Sequence, residues 1–272
     1  MFPTFELFGK TIGTYMVAAL LGVFAAGIFS CRAAKKRGYD ENDMIVLLLV
    51  SCIGVLLGSH VLFALTNWNA LLIFFSHLPE IIAAGELVDS FLAVFGGSVF
   101  YGGLLGGILA GFLYARRRKE KLNLAAYTDM VAPAVPLFHM FGRIGCFLGG
   151  CCYGVESDFG FVFEHSLVEA ANGVRRFPVQ LAEAGFNLLL FVVLAWLLKK
   201  GFCKGKLFLL YLLAYSVGRF VLEFWRGDAY RGFLFGVSTS QFISVLVFAA
   251  AGCALLWQGL RSRRQPQTAP EG

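Results

Sequence analysis

Residues 179–206 read VQLAEAGFNLLLFVVLAWLLKKGFCKGK. A predominantly apolar run extends from Val179 to Leu198, and Lys199, Lys200, Lys204 and Lys206 follow it at once. An α-helix rises about 1.5 Å per residue, so about twenty such residues match the roughly 30 Å hydrocarbon core of a bilayer. The lysines belong in water, and on membrane proteins such clusters collect on the cytoplasmic side. Apolar runs of this length recur along the whole chain. The repetition predicts a polytopic helical membrane protein.

Composition agrees. Of 272 residues, 58% are hydrophobic and 15% are charged, against about 25% charged in soluble domains. Mean hydropathy is +0.73. The runs predict an all-α fold with seven transmembrane helices at roughly 12–31, 44–65, 91–115, 126–149, 179–198, 207–225 and 238–258. Basic residues follow alternate spans: Arg32, Lys35, Lys36 and Arg37 after the first; Arg116, Arg117, Arg118, Lys119 and Lys121 after the third; the four lysines after the fifth; Arg261, Arg263 and Arg264 after the seventh. Lys10, Arg175, Arg176, Arg226 and Arg231 fall on the opposite side. Positive-inside asymmetry then puts the N-terminus outside and the C-terminus in the cytoplasm. The net charge of +6 is therefore a topology signal. Basic clusters separated by apolar runs do not make a nucleic-acid-binding face.

The first positive cluster follows its apolar run, the reverse of a cleavable signal peptide. A single integral membrane domain over 1–260 is expected, with a polar, disordered tail over 261–272. Two non-spanning stretches lie on the outer side. Residues 66–90 carry Trp68, Leu71, Leu72, Phe75, Leu78, Ile81 and Ile82 at mostly helical spacing, which predicts an interfacial amphipathic helix. Residues 153–178, rich in Gly, Phe and charge, form the longest stretch outside the spans.

Polar groups within the spans are the functional signal. Arg143 sits in His139–Met–Phe–Gly–Arg143–Ile–Gly145–Cys146–Phe–Leu–Gly149–Gly150–Cys151–Cys152–Tyr153–Gly154. An arginine at membrane depth costs about 2.5–3.5 kcal/mol even on lenient insertion scales, so it needs an anion. With the orientation above, Arg143 lies in the outer half of its span. Tyr215, Arg219, Glu223 and Arg226 follow one another at i+4, i+4 and i+3, so they share a helix face of the sixth span. Gln180 and Glu183 open the fifth, Tyr101 lies near mid-depth in the third, and Tyr15 opens the first. Their convergence predicts a polar cavity toward the outer half, where two guanidinium forks suit a phosphate or carboxylate. The same arginines could instead tie helices together through Glu183 and Glu223; a glutamate can also orient an arginine that binds phosphate.

Gly142, Gly145, Gly149, Gly150 and Gly154 predict a helix that breaks around Arg143, its backbone lining the cavity. Pro133 and Pro136 predict an earlier kink in the same span. Gly103, Gly107 and Gly111 form one stripe, with Gly102 and Gly106 beside it, at a spacing that lets helix backbones approach. The seven cysteines are odd in number and scattered, unlike a disulfide framework. The spacing C–x4–C–C of Cys146, Cys151 and Cys152 is not a common zinc or thioredoxin-type arrangement, which leaves a membrane thiol, redox or metal protein built on them as the weaker alternative.

At these residues the chain resembles the prolipoprotein diacylglyceryl transferases. The likeness runs in order through Phe100–Tyr–Gly–Gly–Leu–Leu–Gly106, Gly142–Arg–Ile–Gly–Cys–Phe–Leu–Gly–Gly150 with Gly154, Pro178–Val–Gln–Leu–Ala–Glu183, and Tyr215–Ser–Val–Gly–Arg–Phe–Val–Leu–Glu–Phe–Trp–Arg226. It covers nearly the whole chain. The resemblance implies a bacterial cell-membrane enzyme that moves the diacylglyceryl group of phosphatidylglycerol to the lipobox cysteine of a prolipoprotein signal peptide. Glycerol-1-phosphate is released and no cofactor is used. It implies that Arg143 and Arg219 hold the lipid phosphate, that Glu223 and Tyr215 support Arg219, and that Tyr15 and Gly154 line the lipid site. Gly102, Gly103, Cys146, Gln180, Glu183 and Arg226 are further expected substrate-binding positions, and the chain is expected to act as a monomer. Tyr101 stands where the family usually has histidine, and Cys146 where it usually has asparagine. A neutral tyrosine, with a reference pKa of about 10, is a poor base at pH 7. Either nearby arginines lower it, or it orients substrate while the thiol ionises otherwise.

Overall fold

The computed structural model describes residues 1–97, 99–118, 122–166, 168–228, 233–234 and 236–264. Among the described residues, six helices are long and apolar enough to cross a membrane: Thr14–Lys36, Glu41–Thr66, Leu124–Gly149, Val179–Lys200, Leu207–Trp225 and Thr239–Arg261. Their outward faces carry apolar side chains, among them Phe24, Leu57, Leu189, Val217 and Leu256. In water such a surface would aggregate; hydrocarbon is the solvent it fits.

In chain order the helices are α1 (Thr14–Lys36), α2 (Glu41–Thr66), α3 (Trp68–Ser76), α4 (Leu78–Ala84), α5 (Leu87–Phe95), α6 (Phe100–Arg117), α7 (Leu124–Val131), α8 (Ala134–Gly149), α9 (Val179–Lys200), α10 (Leu207–Leu222) and α11 (Thr239–Arg264). Three antiparallel pairs join them: β1 (Thr4–Leu7) with β2 (Lys10–Gly13), β3 (Glu156–Val162) with β4 (Arg175–Arg176), and β5 (Phe233–Leu234) with β6 (Val237–Ser238). The chain divides into two compact units, 34–127 and 1–33 with 128–272.

In unit 34–127, α2 and α6 pack through glycine. A Cβ on Gly58 would lie 2.2 Å from the Gly102 carbonyl oxygen, and one on Gly54 2.4 Å from that of Gly106. Gly103 packs against Val55. The stripe in the sequence therefore serves close backbone approach, as small residues do between membrane helices. The predicted third span, 91–115, is two helices. α5 ends at Phe95, capped by Gly96, and α6 begins at Phe100, leaving α6 with 18 residues. The predicted interfacial segment is likewise α3, α4 and α5 in succession. Its breaks fall at His77 and at Gly85, whose φ of 76° is left-handed and ends a helix at little cost for glycine. Phe74, Val94 and Ala64 form its buried core with Leu71, Leu78 and Ile81 packed around them.

The second unit holds α1, α8, α9, α10 and α11. α1 crosses α8 where Gly22 meets Phe138 and Phe141 and where Gly145 meets Ala18 and Tyr15. Gly218 of α10 receives the Phe186 ring of α9. The kink expected at the prolines is present: α7 ends at Val131 and α8 begins at Ala134, with Pro133 at its N-cap position. The expected break around Arg143 is absent. α8 runs intact through Gly142 and Gly145 to Gly149 and stops at Gly150, at φ 76°. Glycine weakens a helix by only about 1 kcal/mol per residue, and in an apolar medium the backbone has no better partner than its own helix. Asp129 accepts hydrogen bonds from the Gly205 and Leu207 N–H groups and so caps the start of α10.

The 153–178 stretch is built rather than loose. Tyr153, Phe163 and Ala171 form a small buried core. The buried Arg176 donates to the Ala170, Ala171 and Gly154 carbonyls and lies 4.4 Å over the Tyr153 ring. α11 reaches Arg264, so residues 261–264 are helical where a tail was expected. The remainder of that tail, 265–272, lies outside the described residues.

Candidate active site

α8, α10 and the segment just beyond α10 bring three arginines to one carboxylate of α9. Glu183 sits in the second turn of α9, and its side chain is 4% exposed. Its Oε2 pairs with Arg143 Nε of α8. Its Oε1 accepts from Arg219 Nη1 of α10 at 3.0 Å and from Arg226 Nη1 at 3.2 Å. Arg219 continues to Glu223 Oε2 at 2.7 Å, the i,i+4 pair that the sequence spacing predicts, and to Ser240 Oγ of α11 at 3.0 Å. Arg226 grips both oxygens of Asp228, each at 3.0 Å. The cluster holds three guanidiniums and three carboxylates, so burial is matched by pairing rather than by neutralisation.

The pairing separates the arginines by what they have left. Arg226 is 2% exposed, and its Nε, Nη1 and Nη2 all meet carboxylates. Arg219 uses both terminal nitrogens on protein groups. Arg143 is the most exposed of the three, at 22%, and reaches its one carboxylate among the described residues through Nε. Tyr215 lies within electrostatic reach of it. A guanidinium anchored by Nε with terminal N–H groups to spare presents a planar fork to an incoming anion.

The other predicted residues are located as follows. Tyr15 opens α1, half exposed, against Gly145 and within electrostatic reach of Arg143 and Cys146. Gln180 is buried and donates to the Cys151 carbonyl at 2.9 Å, while its Oε1 is buried with no partner among the described residues. Gly154 is where three backbones meet: a Cβ there would lie 2.2 Å from the Phe177 oxygen and 3.0 Å from that of Trp225. It is also bridged to Arg226. Its role in this structure is to let the 153–155 segment pass against the end of α10. His139 packs against Tyr215 and faces the Tyr211 hydroxyl at 3.3 Å, a structural placement. Gly102 and Gly103 belong to the other unit and pack on α2. Tyr101 is in the first turn of α6, and its side chain lies outside the described residues.

Sequence reasoning missed Asp228 and Ser240. Asp228 was two residues from Arg226 and could have been read as its partner; Ser240 gives no local signal. Burial pushes the Asp228 carboxyl above the usual carboxylate range, against the opposing pull of Arg226.

Cys146, Cys151 and Cys152 bring their Sγ atoms within 4.8 Å of one another beside this cluster. Their thiols are free. Hydrogen bonds from Cys146 and Cys151, with the Arg226 and Arg143 guanidiniums, hold the Cys152 thiol below its usual pKa in spite of burial.

Comparison with known proteins gives the family. The family model for prolipoprotein diacylglyceryl transferase matches residues 3–257. A phosphatidylglycerol–prolipoprotein diacylglyceryl transferase of Clostridium tetani is 37% identical over 243 residues, covering 89% of this chain and 91% of the relative. A protein of Clostridium perfringens named as the second such transferase is 34% identical over 244 residues, 89% of each chain. One from Bordetella avium is 31% identical over 262 residues, 93% of this chain and 92% of its own. With the match spanning the arginine cluster and every long helix, the chain belongs to the prolipoprotein diacylglyceryl transferase family.

Proposed function

We propose that this chain transfers the diacylglyceryl group of phosphatidylglycerol to the lipobox cysteine thiol of prolipoproteins, forming a thioether and releasing glycerol-1-phosphate. The observation that carries the reading is the guanidinium of Arg143, held by Glu183 through one nitrogen while the other two arginines of the cluster are spent on protein carboxylates. In the reaction a thiolate attacks a glycerol carbon and a phosphate leaves. Negative charge gathers on the phosphate oxygens, where a fixed cation in a water-poor site stabilises the transition state most. Arg143 takes the phosphate. Arg219 supports it at the rim, steered by Glu223, Glu183 and Ser240. Arg226 and Asp228 hold the hub in place. Tyr215 orients Arg143, and Tyr15 lines the lipid side of α8.

In this proposal the chain acts as a monomer that crosses the bacterial cytoplasmic membrane seven times, α6 supplying the seventh span. The N-terminus lies outside, α3–α5 rest at the outer interface, and the site opens toward the outer half of the bilayer. The asymmetric basic loops and the position of Arg143, in the second half of α8, support that orientation. The test is turnover of phosphatidylglycerol and a lipobox peptide by membranes that contain this chain as their only transferase. Transfer in the parent and its loss in Arg143→Ala is the expected outcome. Full turnover in that variant would remove Arg143 from the mechanism. Expression in cells depleted of their own transferase adds a second arm, since failure to restore lipoprotein maturation despite membrane insertion would favour a different acceptor.

A further inference from the structure

We propose that Cys146, Cys151 and Cys152 form a three-thiolate site for a zinc(II) ion whose fourth position takes the thiol of the acceptor cysteine and presents it as a thiolate to the lipid held at Arg143. The proposal rests on the transferase reading for the identity of that acceptor. It stands on the geometry of the three sulfurs, which lie within 4.8 Å of one another. Zinc–sulfur bonds are about 2.3 Å, so three thiolates around one ion lie about 4 Å apart. Closing the cluster on zinc takes a sub-ångström shift in side chains that already point together.

The fold builds this convergence on purpose-specific backbone. Cys146 is buried in the last turn of α8. Gly150 then adopts φ 76° and reverses the chain, and a Cβ at that position would lie 2.6 Å from that of Ser166. The Cys151 N–H returns to the Cys146 carbonyl at 3.1 Å, and the Cys151 carbonyl is held by the buried Gln180. Cys152 takes φ 55°, a left-handed conformation that costs a non-glycine residue about 1–2 kcal/mol. That cost is spent on turning its thiol back to the other two. Cys151 and Cys152 are half-buried, which leaves the cluster reachable from one side. Three protein ligands with an open fourth position is the layout of a catalytic zinc site, whereas a structural one closes with four. Thiolate ligands select soft or borderline ions, and three of them with Zn(II) carry one net negative charge, opposite the nearby Arg226 and Arg143.

The chemistry supplies a need that the cluster leaves unmet. A cysteine thiol with a pKa of about 8.5 is roughly 3% thiolate at pH 7. Each carboxylate of the hub is paired with arginine. A thiol coordinated to zinc is deprotonated outright. On coordination the acceptor loses its proton to water. Its sulfur electron pair forms the C–S bond to the glycerol carbon, and the C–O bond to phosphate breaks with its pair leaving on oxygen, beside Arg143. The released glycerol phosphate regains a proton from water, so the balance is one thiol and one phosphodiester converted to one thioether and one phosphomonoester. Zinc remains Zn(II) throughout. The product thioether is neutral and a weak zinc ligand, so it departs.

The test uses the full chain purified in detergent without chelator. Elemental analysis is expected to find one zinc per chain, falling at least tenfold in Cys152→Ala and Cys146→Ala. Chelator treatment of the unaltered protein, which leaves the fold's sequence intact, should lower transfer to a lipobox peptide on the order of 30-fold at pH 7, the ratio set by the thiolate fraction above, and one equivalent of zinc should restore it. Cobalt(II) in place of zinc should show thiolate charge-transfer absorption that changes with a cysteine peptide and not with its serine counterpart. Full transfer by metal-free protein, copper in place of zinc, or a cobalt spectrum indifferent to the peptide would each overturn the zinc proposal while leaving the transferase reading standing. Zinc-loaded protein that transfers nothing would instead overturn the transferase reading, with the cobalt spectrum still deciding the metal site.

Discussion

Replacing Glu183 by glutamine should cost the fold about 3 kcal/mol, the low end of what is lost when one partner of a buried ion pair is removed. Glutamine keeps the volume and one hydrogen-bond acceptor, so the loss reports charge. Without the Glu183 carboxylate, Arg219 retains Glu223 and Arg226 retains Asp228. Arg143 loses its carboxylate partner. Its partial exposure allows some rehydration, which is why the low end of the range applies. The assay is equilibrium unfolding of the purified chain in mixed micelles, comparing Glu183→Gln, Arg143→Gln and the double variant. Removing the orphaned cation should recover part of the loss, giving a coupling energy above about 1 kcal/mol, as expected for residues in one ion-pair network. A single-variant loss below about 1 kcal/mol, the range of exposed pairs, would show that solvent screens the hub and would refute its treatment as buried.

Other outcomes follow from the same geometry. Arg143→Gln should lower transfer by about 10²–10³ with little loss of fold, the effect of deleting one donor to a developing anion. Arg226→Gln should instead destabilise by roughly 3 kcal/mol, read in the same unfolding assay, because it removes the buried guanidinium that pairs with both Glu183 and Asp228. Gly145→Val should loosen α1 from α8 and cost about 1–3 kcal/mol, since its Cβ alone would lie 3.0 Å from that of Ala18. Gly142→Ala, with nothing within 4 Å of the added methyl, should leave stability unchanged or higher. Asp129→Ala should cost about 0.5–2 kcal/mol by uncapping α10, with greater hydrogen exchange in its first turn.

How much of this was legible depended on sequence distance. Apolar runs located the six long helices, because a bilayer leaves a chain few choices, whereas the third predicted span is divided between α5 and α6. The Arg219–Glu223 pair was legible because one helical turn brings i and i+4 together. Pro133 announced its kink. The Glu183 hub was foreseen only as a gathering at similar depth; that one carboxylate serves three arginines is a fact of packing. The glycines near Arg143 misled, since composition cannot tell a broken helix from one that another helix must approach closely, and Gly145 is the latter. Likewise C–x4–C–C matched no familiar spacing because the left-handed residues Gly150 and Cys152 close the cluster. The hairpin β1–β2 turns at Phe8–Gly9, both at positive φ, and its strands of four residues each were too short to stand out from a loop.

The most direct test is reconstitution of the purified chain alone with phosphatidylglycerol and a synthetic lipobox peptide. The account predicts one diacylglyceryl thioether on the peptide cysteine for each glycerol-1-phosphate released, with both products falling together in Arg143→Gln. Peptide left unmodified by well-folded, membrane-inserted protein, or lipidation without matching glycerol-1-phosphate, would contradict it.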